Sequence, residues 1–90
     1  MAEKADTPRN TYLKAQFEFI VTELDLALTF WDIANSTDDE RRATRNLDNA
    51  KKAYTAAVHF LSDARLDRAR RRVVHGKLQR LEALFATLTP

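Results

Sequence analysis

The sequence predicts an all-α chain folded as an antiparallel up-down-up bundle of three helices. Three observations point there. The 90 residues hold a single glycine, Gly76, and two prolines, Pro8 and Pro90, too few for the many tight turns that short strands need. Apolar residues recur three or four positions apart over three long stretches. Two polar breaks, rich in helix-capping residues, separate those stretches. One domain over residues 1–90 follows, with helices at about 11–34, 38–61 and 64–88.

For the first helix, Pro8 suits the approach, and Asn10 or Thr11 can cap the start by accepting from a free backbone N–H. Leu13, Phe17, Ile20, Leu24, Leu28 and Trp31 then form one apolar stripe. In the break "NSTDDE", Ser36 or Thr37 is the expected cap of the second helix. Asp38, Asp39 and Glu40 sit at its positive N-terminal end. Ala43, Leu47, Ala50, Tyr54, Ala57 and Leu61 follow at helical spacing, and the alanines allow a neighbouring backbone to come close. For the third helix, Ser62 is the candidate cap within "LSDARLD", with Asp63 and Asp67 favouring an N-terminal turn. Leu66, Ala69, Val73, Val74, Leu78, Leu81, Leu84, Phe85 and Leu88 make its broad apolar side, interrupted by Gly76, which implies close packing or local flexibility. Pro90 closes it.

The first helix carries more apolar surface than one face. At about 100° per residue, Tyr12, Phe19, Leu26, Phe30 and Ile33 form a second stripe, and the two together span about 220°. That width fits a helix sandwiched between the other two. It also fits a homodimer that covers the second stripe, or a groove for a different protein. Either interface would be anchored by Phe30 and Trp31, since large aromatics contribute most when desolvated; Trp31 suits the core equally well.

The stretch "NLDNAKKAYTAAVHFL", residues 46–61, resembles the second helix of a tetratricopeptide repeat, whose alanine, aromatic and alanine positions are matched by Ala50, Tyr54 and Ala57. The likeness stops upstream, where the repeat's first helix would bring its anchor residues and this chain has Ala34, Thr37, Asp38 and Arg41. "LTFWDIA" followed by "RNLDNAKKAYTAAVHFL" is also similar to small uncharacterised bacterial helical proteins. A three-helix microtubule-interacting-and-trafficking-type domain is similar in outline. These resemblances imply a helical-hairpin interaction module; small residues at this spacing also arise in any close-packed helix pair.

The net charge of +2 is unevenly spread. Residues 11–33 carry one Lys against four acids, whereas residues 63–90 carry seven Lys/Arg against three acids. In "ARLDRARRRVVHGKLQR", Arg65, Arg68, Arg72 and His75 project along one helical side with Arg71 beside them, a pattern able to hold phosphates of a nucleic acid. A solvated face partly paired with Glu18, Glu23, Asp25 or Asp32 explains the same charges. Arg70 and Lys77 fall among apolar positions, where their stems cover core and their heads reach water or a first-helix carboxylate.

No catalytic residues, metal ligands or cofactor are expected. The chain has no cysteine, its two histidines, His59 and His75, fall on different helices, and one glycine cannot build a phosphate loop. Ser36, Ser62, Asp38 and Asp39 all sit in capping contexts. The first residues, "MAEKADTPRN", lack an apolar signal region, and no apolar run nears the roughly 18 residues of a membrane span, so a cytoplasmic protein is expected. The expected function is a non-enzymatic protein-interaction module, self-associating as a homodimer through the second stripe; the alternative is a nucleic-acid-associated protein.

Overall fold

The computed structural model describes residues 8–88; Pro90 and the first seven residues lie outside them. It contains α1 (Pro8–Ser36), α2 (Glu40–Asp63) and α3 (Arg68–Ala86), with no strand among the described residues. The rod they form measures 56 × 21 × 19 Å between Cα extremes.

The helix ends differ from the expectation, for local reasons. α1 already includes Pro8, Asn10 and Thr11, so Asn10 and Thr11 are not caps; a proline in a first turn costs nothing because its missing N–H would have no helical partner there. Ser36 belongs to the last turn of α1, where its hydroxyl donates to the Asp32 carbonyl. The cap of α2 is Asp39, whose Oδ1 accepts from Arg41 N at 2.9 Å and Arg42 N at 3.3 Å. Thr37 supports it from outside the helix, accepting from Asp39 N at 3.2 Å.

The same substitution of roles occurs at α3. Ser62 stays inside α2, donating to the His59 carbonyl at 2.7 Å, while Asp67 Oδ1 accepts from Arg70 N at 2.8 Å and starts α3. In both breaks a carboxylate supplants a hydroxyl, because it accepts more strongly and its charge opposes the positive helix end. At the other end α3 stops at Ala86, where Thr87 N and Oγ1 both bond to the Leu84 carbonyl; Leu88 lies beyond the helix and is exposed.

Side-chain pairs fix the topology. Phe19 meets Phe60, and further along Leu26 and Phe30 share a depression with Asn49 and Ala53, so α2 runs down as α1 runs up. Phe17 lies beneath Arg70, Asp25 bonds Lys77 and Trp31 meets Phe85, so α3 runs up again beside α1. α1 packs along both neighbours, most extensively along α2. The close α1–α2 approach has a sequence cause: Ala27 of α1 and Ala50, Ala53 and Ala57 of α2 are all buried. α3 contributes larger groups, Val74, Leu78 and Leu81, which close over Ile20 and Leu24 together with Leu66 from the preceding loop. Val73 points to solvent.

Gly76 does not serve close packing. It is exposed, a Cβ built there would meet nothing within 4 Å, and α3 passes through it without interruption.

Candidate interaction surface

Ile20, Leu24, Ala27 and Trp31 turn the inner stripe of α1 into the core, which leaves the second stripe about a third of a turn away, beside α2 and away from α3. Tyr12 is 63% exposed and Leu26 40%. Phe19 remains 38% exposed even though its ring lies on that of Phe60, at 4.4 Å between centroids, and Phe60 is itself 45% exposed. Phe30 and Ile33 are half-buried. Tyr12 Oη accepts from Gln16 Nε2 at 3.1 Å, while Gln16 Oε1 is buried without a partner.

Trp31 is placed elsewhere. It is 7% exposed and meets Phe85 of α3 edge-on at 5.6 Å, so it is a core residue and no surface anchor. Phe85 also receives Tyr54 at 5.4 Å, with the rings perpendicular, so one phenylalanine of α3 joins α1 to α2 at this end of the rod. Tyr54 Oη donates to Glu82 Oε2 at 3.0 Å. Burial raises the Tyr54 pKa, and the hydrogen bond to Glu82 and that carboxylate's charge raise it further.

Sequence reasoning missed the α2 half of the exposed surface. Lys51, Lys52, Thr55, Ala56, His59 and Phe60 line a shallow, largely apolar depression on the outer side of α2. A second depression, between Glu23, Leu26 and Phe30 of α1 and Asn49, Lys52 and Ala53 of α2, adjoins it through Lys52. Phe60 could have been found from its spacing: Asn49, Ala53, Ala56 and Phe60 recur at steps of three and four, on a flank of α2 distinct from that of Tyr54 and Leu61. The joined surface carries Glu23 on its α1 side and Lys51 and Lys52 around the α2 depression, whereas Asp25 of α1 faces Lys77 of α3.

The basic residues are sorted by the fold. Arg70 stretches over the Phe17 ring, 5.4 Å from its centroid, and its Nε lies 3.9 Å from Asp67. Lys77 Nζ donates to Asp25 Oδ1 at 2.6 Å, the one ion pair between helices among the described residues. Arg65 lies in the loop before α3 and so leaves the helical stripe in which it was expected. Arg68, Arg71, Arg72 and His75 remain together on α3 around an open depression.

Among the described residues no cluster of His, Asp and Glu is arranged to hold a metal ion, and no helix is long and apolar enough to cross a membrane. No known protein family, no curated protein and no solved structure matches the chain.

Proposed function

We propose that this chain is a non-enzymatic helical interaction module that associates with a second copy of itself through the joined α1–α2 surface. The observation that carries the reading is the Phe19–Phe60 pair. Two aromatic rings in tilted contact, each more than one-third exposed, continue into Leu26 and Phe30 on the side of the rod that α3 leaves open.

Two features support a second copy as the occupant. Of the eleven buried apolar residues among those described, four are alanine, so the core is thin for a chain of this size and a further apolar interface would add stability. The charges are the second: a two-fold axis that lays α1 of one protomer over α2 of the other brings Glu23 towards the opposing Lys51 and Lys52, and does so twice. The tetratricopeptide-like spacing of Ala50, Tyr54 and Ala57 agrees with a helical-hairpin module. The cytoplasm as the place of action belongs to the same proposal, and microscopy of a tagged chain tests it.

Sedimentation equilibrium over a series of micromolar concentrations tests the association. A rising mean mass is expected. A chain that keeps its helical content and stays monomeric throughout would refute the reading.

A further inference from the structure

The cations of α3 fall into two groups. Arg70 and Lys77 are engaged with Phe17, Asp67 and Asp25, inside the bundle's own contacts. Arg68 and Arg72 are exposed, and their side chains form no ion pair or hydrogen bond among the described residues. Arg71 is exposed too, but one of its Nη atoms donates to the Leu66 carbonyl at 2.9 Å, which holds the guanidinium in place. With His75, these three arginines border one shallow depression that covers about 10 Å of helix.

Carboxylates do not neutralise this strip from along the helix. From Arg68 to Leu81 the sequence contains no Asp or Glu. Asp67, just before it, is committed to capping, and Glu82, just after it, to Tyr54. Within the strip itself, therefore, no carboxylate of α3 opposes the arginines.

We propose that Arg68, Arg71, Arg72 and His75 form a docking strip for the phosphodiester backbone of double-stranded nucleic acid. Guanidinium groups one helical turn apart suit repeated phosphates, each taken by paired N–H donors. The strip contains no Phe, Tyr or Trp on which an unpaired base would stack, which favours a duplex over a single strand. A lipid surface suits it less well. Membrane-surface helices need an apolar face to insert beside their cations, and here Val74, Leu78 and Leu81 are buried under α1. This inference is independent of self-association, because α3 lies away from the Phe19–Phe60 surface.

The test is fluorescence anisotropy of a labelled duplex of about 20 base pairs with the full chain over a salt series. With three arginine contacts, log K against log salt has an expected slope of about −2.7, a loss of about 40-fold between about 50 and 200 mM. Arg68→Gln/Arg72→Gln, which keeps long helix-forming stems, should reduce that slope to about −0.9. Arg41→Ala/Arg45→Ala on α2 should leave it near the wild-type value. No binding at about 20 mM salt, an unchanged slope in the α3 double variant, or an equal loss in the α2 variant would overturn the assignment. So would tight binding to phosphatidylglycerol-containing vesicles by a chain that ignores the duplex.

Discussion

Truncating Phe19 to alanine probes the self-association surface directly. With about 200 Å² for a phenylalanine side chain, its 38% exposure leaves about 75 Å² open to water. At ~25 cal/mol per Å², covering that area contributes about 2 kcal/mol per protomer, and a two-fold dimer counts it twice. Phe19→Ala then weakens the dimer by up to about 4 kcal/mol, or roughly a thousandfold in Kd; incomplete coverage scales this down, so at least tenfold is expected. The isolated chain loses less, since Phe19 lies outside the fully buried core and its tilted contact with Phe60 contributes about 0.5–1.5 kcal/mol beyond area. Sedimentation equilibrium reads the first effect and urea unfolding of the dilute chain reads the second. If Phe19→Ala and Phe60→Ala both leave Kd within about threefold of wild type while the chains remain helical, the rings are not at the interface and the reasoning fails.

Other predictions test the fold beneath that surface. Leu24 is fully buried between helices, so Leu24→Ala should cost about 2–5 kcal/mol in urea unfolding, a large fraction of the roughly 5–13 kcal/mol expected for the domain. A loss under about 1 kcal/mol would place Leu24 outside the core. Gly76→Ala should stabilise by about 0.5–1 kcal/mol, because the added Cβ meets open space and the helix gains a better former; destabilisation would indicate an unseen neighbour. Asp39→Ala removes the acceptor of two α2 N–H groups and should cost about 1 kcal/mol, whereas Ser36→Ala should stay within about 0.5. The raised pKa of Tyr54 means that the folded chain holds this proton more tightly than the unfolded chain. Its stabilising contribution is therefore complete below the unfolded value near 10 and disappears as pH rises through the folded one. Tyr54→Phe should flatten the wild-type decline in urea midpoint above about pH 10, and parallel pH curves for the two chains would contradict the Tyr54–Glu82 account.

The outline of the fold was legible in the sequence because it depends on periodicity within each helix. Ile20, Leu24 and Trp31, then Ala50 and Ala57, then Val74, Leu78 and Leu81 are spaced for burial on one side wherever the partner stands. Helix ends were less legible. "NSTDDE" and "SDARLD" each offer several capping side chains in succession. Asp39 and Asp67 prevail where the chain must turn to bring the next helix against α1.

Of the candidate surface, the second stripe of α1 and the run of arginines could be read from residue order, because both are projections along one helix. Which of those residues remain available depends on how the helices meet. Phe85 arriving from α3 makes Trp31 a core residue, Phe60 arriving from α2 enlarges the patch around Phe19, and the loop at Arg65 removes it from the α3 strip. Likewise, Arg70 and Lys77 differ from Arg68 and Arg72 because Phe17 and Asp25 of α1 lie opposite them. Periodicity specifies direction around one axis; the register between two helices depends on how their side chains pack, and that belongs to neither stretch alone.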